Sequence, residues 1–161
     1  MKTIFAVALS FLFLGATQAR LTEKESELIT RFGKVEVRTP EKAAFQGRFY
    51  EVGTNLHFRS EQWSIVALLI DDRCAQIAYR KVGDWTDEQI VGLLDRNGGY
   101  ATYKQDPLTG LGKSYRTWKQ INGVTAKFSG GSLTITHPLY SRRLAVLKAK
   151  ADADSKRPPK F

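Results

Sequence analysis

The sequence predicts an α+β fold: an antiparallel meander packed against two capped helices, followed by a basic amphipathic C-terminal helix. Three observations predict it. Helix-start signals stand at Thr22 and Thr86, and runs of aromatic and branched residues are joined by tight turns. The closing segment places apolar side chains at helical spacing. Strands that follow one another through short turns pair antiparallel, because parallel pairs need a crossover helix between them.

In chain order, residues 1–19 read as a secretory signal. Lys2 gives the positive start, Ile4 to Leu14 the apolar run, and Thr17-Gln18-Ala19 the small-residue exit. The run is shorter than the roughly 20 apolar residues of a spanning helix. Cleavage after Ala19 is therefore expected, with an uncleaved anchor as the alternative. No cysteine stands at the cleavage point, which argues against a lipid anchor. The expected organisation is a signal at 1–19, one α+β domain at 20–152 and a disordered basic tail at 153–161, with no transmembrane span after cleavage. The expected location is periplasmic or secreted.

The first mature helix is read from Thr22, with Glu25 reaching back to it as a capping box and Leu28, Ile29 and Phe32 on one face before Gly33. Strands are read at Phe49–Val52, Trp63–Ile70 and Cys74–Val82, with Asp71-Asp72 as a hairpin turn. Ile65 to Ile70 lacks polar alternation, the pattern of a strand covered on both faces. The second helix opens with a Thr86/Gln89 capping box, a Trp85 staple on Ile90 and a stripe of Ile90, Val91 and Leu94, ending at Asn97-Gly98-Gly99. Strands follow at Tyr100–Lys104, Tyr115–Ile121, Val124–Phe128 and Leu133–Thr136, turning at Asn122-Gly123 and at Ser129-Gly130-Gly131-Ser132. Val124, Ala126, Phe128, Leu133 and Ile135 are expected to point inward. The two capping boxes start 64 residues apart, which raises a duplicated unit as one reading and coincidence as the other.

The 161 residues are 42% hydrophobic and 25% charged, an ordinary folded composition. One cysteine and two histidines leave no internal disulfide and no Cys/His zinc site, and no metal or cofactor is expected. Cys74 is read as a core thiol or, in an oxidising compartment, as an intermolecular link. The formal charge is +9, and +8 once Lys2 leaves with the signal. Seven basic and two acidic side chains between Tyr140 and Phe161 hold most of it. There Tyr140, Leu144, Leu147 and Ala151 form the apolar stripe of a helix at about Leu139–Ala151, with Arg142, Arg143, Lys148 and Lys150 around it. That helix either docks on an anionic surface or packs its stripe on the domain, and both hold if only the charged side meets a partner. A second candidate contact area interleaves Tyr100, Tyr103, Tyr115 and Trp118 with Lys104, Lys113, Arg116 and Lys119.

Catalytic signals are sparse. Gly110-Leu111-Gly112-Lys113-Ser114 ends like a phosphate-binding loop, but Pro107 stands where that pattern needs glycine. His57 and His137 are candidate bases without an accompanying motif, and Glu51 or Glu61 could assist His57 only if the fold brings them together. The acidic runs Asp71-Asp72 and Asp84/Asp87/Glu88 coincide with a turn and a helix start, where carboxylates are favoured locally.

The helix at Leu21-Thr22-Glu23 running into Arg31-Phe32-Gly33-Lys34, with the Thr86–Ile90 start and the Asn97-Gly98-Gly99 stop, resembles small exported bacterial proteins of uncharacterised function. More distantly, helix followed by meander resembles BamE/SmpA-type outer-membrane-assembly lipoproteins and β-lactamase-inhibitor-like modules. That resemblance implies a noncatalytic protein binder, without the lipidation cysteine of the first group. The combined expectation is an exported binding protein of the envelope, contacting a protein partner or an anionic surface. Export argues against nucleic acid. The alternative is a small exported hydrolase using His57 or His137 with a nearby carboxylate.

Overall fold

The computed structural model describes residues 21–60, 62–98, 102–107 and 114–156. The signal segment, Glu61, Tyr100, the Gly110–Lys113 stretch and residues 157–161 lie outside the described residues. The described chain runs α1 (Glu25–Phe32), β1 (Val37–Phe45), β2 (Arg48–Arg59), β3 (Trp63–Ile70) and β4 (Arg73–Lys81). It continues with α2 (Asp87–Arg96), β5 (Lys104–Gln105), β6 (Tyr115–Lys119), β7 (Thr125–Ser129), β8 (Ser132–Thr136) and α3 (Pro138–Ser155). The class is α+β. All eight strands form one antiparallel sheet in the order β1-β2-β3-β4-β8-β7-β6-β5. Each half is a helix followed by a four-strand meander, and the two halves meet where β4 pairs with β8, Ile77 opposite Ile135.

The tight turns are written in backbone chemistry. Asp71 and Asp72 both take positive φ (50° and 59°), the pair of conformations a two-residue hairpin loop requires. Gly130 and Gly131 do the same at 56° and 70° without the Cβ penalty. At Asn122-Gly123 the asparagine Oδ1 accepts the Val124 N–H at 3.1 Å, a side-chain-closed turn between β6 and β7.

Of the two helix starts, the second forms as read. Thr86 Oγ1 accepts from Gln89 N at 3.3 Å, and Gln89 Oε1 accepts from Thr86 N at 3.1 Å. Its buried stripe is Ile90, Leu93 and Leu94, with Val91 exposed. The first helix starts three residues later than Thr22. The Thr22 N–H donates to Cys74 O at 2.7 Å and Cys74 N–H to Glu23 O at 2.8 Å, so residues 22–23 are held to β4 and are not free to cap. Lys24 becomes the first capping position, with its N–H bonded to Glu27 Oε2 at 2.7 Å, and Glu25 pairs with Arg38 instead of reaching back.

Both helices lie on one face of the sheet. Leu28 of α1 and Ile90, Leu93 and Leu94 of α2 close a core floored by Leu56, Phe58, Ala67, Ile77, Tyr79, Trp118, Ala126, Phe128, Leu133 and Ile135. The five inward positions expected on β7, β8 and the turn before them are all in this core. Trp85 enters it edge-on between Trp63 (5.1 Å) and Phe128 (5.2 Å).

Among the described residues the opposite face is covered only in part, by α3. Two register shifts build its seat. In β1–β2 the pairing jumps from Glu41–Gly53 to Lys42–Glu51, leaving Val52 unpaired, and in β3–β4 it jumps from Leu68–Gln76 to Leu69–Cys74, leaving Ala75 unpaired. A bulge reverses the side a residue faces. Val52 and Ala75 therefore join Leu68 and Ile70 under Leu147, with Ala43, Phe45, Tyr50, Leu139, Tyr140 and Leu144 around them. This explains why Ile65 to Ile70 reads as apolar throughout: its odd and even positions feed two different cores. Helix α3 extends past the expected end at Ala151 to Ser155, so residues 153–155 are helical rather than tail.

Candidate binding face

On the side away from α1 and α2, the strand register aligns side chains into rows across the sheet. The first row is Arg59, Ser64, Arg80, Ser132, Ser129 and Tyr115, on β2, β3, β4, β8, β7 and β6. A second row runs Val37, His57, Val66, Ala78, Thr134, Lys127 and Thr117, from β1 to β6. The third passes under α3 at Leu68 and emerges as Gln76, Thr136, Thr125, Lys119 and Lys104. Arg59, Arg80, Lys104, Lys119 and Lys127 are exposed, and among the described residues the one carboxylate beside them is Asp106, which continues the second row past Thr117, its N–H bonded to Thr117 O at 3.0 Å. Acidic groups stand only at the margins. Glu41 on β1 is bonded by Asn55 Nδ2 at 2.8 Å, and Asp106 follows β5.

The structure divides the residues expected from sequence. Tyr115 is exposed at 43%, with the Lys127 ammonium 5.2 Å from its ring centre. Its expected companions turn inward. Trp118 is 3% exposed in the main core, because it faces Ala126 across the ladder on the helix-covered side. Arg116, two residues away and thus on the same face, lies 5.6 Å from the Trp118 ring and 5.5 Å from Phe128, and pairs with Asp87 at 2.8 Å. Tyr103 is 7% exposed and donates its hydroxyl to Asn97 O at 3.2 Å, and burial pushes its phenol up to about 12. Trp118, Arg116 and Tyr103 do not form an exposed contact area.

On α3 the charges are diluted. Within Pro138–Ser155 four basic residues face two acidic ones, and Asp152 accepts from Gln46 at 2.6 Å. Arg142, Lys148 and Lys150 are exposed. Arg143 instead is half-buried and lines a groove of about 440 Å³ with Glu25, Arg38, Glu51, Asp71 and Asp72.

Among the described residues neither candidate base is bonded to an acid, and Glu61 lies outside them. His57 Nε2 is 3.0 Å from Thr39 Oγ1. His137 Nδ1 accepts the Leu139 N–H at 3.1 Å and caps α3, and burial, then the Arg142 charge, lowers its pKa. Cys74 is fully buried, and burial pushes its thiol up to about 12, the opposite of an activated nucleophile.

The exposed cations at Arg59, Arg80 and Lys127 were not singled out by sequence. The signal that finds them is the register, which sets residues from opposite ends of the chain side by side. No helix among the described residues is long and apolar enough to cross a membrane. No family model matches the chain, and no curated protein or solved structure compared with it gives a match.

Proposed function

We propose that this chain works by binding, as an exported, noncatalytic envelope protein whose contacts run through the half of the sheet that α3 leaves bare. One observation carries the reading: five exposed cations on that half against a single described carboxylate, Asp106, at its edge. An excess of positive charge on one face raises the local concentration of an anionic partner and speeds its docking. The export signal and the resemblance to noncatalytic binders supply the setting, an anionic envelope surface or an envelope protein.

The test is retention on an envelope fraction at about 50 mM and about 500 mM salt, spanning a large change in screening. The comparison is wild type against Arg59→Gln/Arg80→Gln/Lys127→Gln. Retention that is salt-sensitive in the wild type and weakened in the variant supports the reading, and equal retention of both removes it. Deleting α3 is the wrong perturbation, since it would uncover Val52, Leu68, Ile70 and Ala75.

A further inference from the structure

The β5–β6–β7 corner of the bare face concentrates its charge in an unusual way. Lys104 stands directly opposite Lys119 across the β5–β6 pair. Lys119 in turn pairs with Thr125 while Lys127 pairs with Thr117, which makes Lys119 and Lys127 diagonal neighbours. Directly opposed Cβ atoms in a ladder are about 5 Å apart and diagonal ones about 7–8 Å, so the three lysines root in one small area, with the Lys127 ammonium leaning over the Tyr115 ring and Asp106, whose N–H bonds Thr117 O at 3.0 Å, at its rim. Like charges opposed across strands destabilise a sheet, and Lys104 sits on a strand of only two residues. An anion bound between the lysines turns that repulsion into attraction.

The surroundings select among polyanions. Thr117, Thr125, Thr134, Ser129 and Ser132 border the lysines, so hydroxyl groups able both to donate and to accept lie beside every cation. Of the exposed large apolar side chains only Val37, at the far β1 edge, and Tyr115 stand in the three rows. A protein interface draws on aromatic anchors and is poor in lysine and serine, and a membrane-inserting face needs apolar side chains to enter the lipid. A nucleic acid held on a sheet face stacks its bases on exposed aromatic rings, and of the large aromatic side chains in these rows Tyr115 alone is exposed. A hydrated, hydroxyl-rich chain with regularly spaced acid groups fits all the features at once.

Resting on the binding reading above, we infer that Lys104, Lys119 and Lys127 form the charged centre of a site for an acidic polysaccharide, its sulfate, phosphate or carboxylate groups taken by the three ammonium groups and its hydroxyls by the flanking threonines and serines.

The test uses labelled heparin as the probe, titrated with the full mature protein by fluorescence anisotropy across a salt series. Three proteins are compared: wild type, Lys104→Gln/Lys119→Gln/Lys127→Gln, and Arg142→Gln/Lys148→Gln/Lys150→Gln, which loses the same charge on α3. All substitutions are at exposed positions, and circular dichroism checks that the fold is kept. The wild type is expected to bind with an affinity that falls steeply with salt. The sheet variant is expected to bind about tenfold or more weaker with a salt slope smaller by about 2 to 3, as for roughly one unit per lost contact. The helix variant is expected to stay within about twofold of wild type. Equal loss in the two variants overturns the site, because only net charge would then matter. Binding of duplex DNA or of phosphatidylglycerol vesicles as tight as that of heparin overturns the polysaccharide assignment. If heparin does not bind but the sheet variant still loses envelope retention, this inference fails and the binding reading stands. If retention is unchanged in every variant, both fall.

Discussion

His137 gives α3 an acceptor that acid can remove, and this sets a measurable pH dependence. Its Nδ1 takes the Leu139 N–H at 3.1 Å, satisfying one of the unpaired donors of the first turn. Burial, followed by the Arg142 charge, holds the imidazole below its ordinary value of 6.5. As pH falls through 6.5 the unfolded chain therefore takes up the proton before the folded one. The stabilisation is complete above 6.5 and is lost as pH drops toward the lower folded value. Losing a helix cap costs about 1 kcal/mol, and a new positive charge at a helix N-terminus adds about 0.3–1 kcal/mol. Because the ring is largely open to solvent, urea melts at pH 7.5 and pH 5.0 should show a loss of no more than about 1 kcal/mol in the wild type from this group. With a urea slope of about 2 kcal/mol per molar, the midpoint moves by up to about 0.5 M. His137→Asn keeps a capping oxygen that does not titrate, so it should match the wild type at pH 7.5 and lose less at pH 5.0. Parallel losses in the two proteins would refute the reasoning, because every other titrating group is common to both.

Two further outcomes follow from packing. A Cβ on Gly53 would stand 2.0 Å from Leu69 O, inside backbone that cannot swing aside, so Gly53→Ala should lose about 3 kcal/mol or more in the same urea assay. The fully buried Cys74, with its thiol pushed up to about 12, should resist an aromatic disulfide reagent in the native protein and release one equivalent only on denaturation.

What the sequence disclosed was what is decided locally. The Thr86/Gln89 box closes within four residues, and the turns at Asp71-Asp72, Asn122-Gly123 and Gly130-Gly131 need no distant partner. Thr22 looked equally competent as a cap, but its N–H is claimed by Cys74 from 52 positions away. Strand β1 went unread because Pro40 and charged residues interrupt it; an edge strand tolerates a missing donor on its solvent side. Arg116 and Trp118 were misplaced for a related reason. Strand alternation says that they share a face, but which face is fixed by Asp87 and the rings of the core. The bare basic face was out of reach for the same cause at larger scale, since the β4–β8 pairing that joins its halves spans about 60 positions of chain.

The seat of α3 also sets an order of events. Its floor, Val52, Leu68, Ile70 and Ala75, belongs to the first half of the chain, while the lid comes from the last described helix. A polypeptide emerging from its N-terminus completes β1–β4 with that greasy floor still wet, and it stays wet until α3 arrives. The early meander is thus the part of the newborn chain most exposed to wrong association, and the closing helix is the step that ends the exposure.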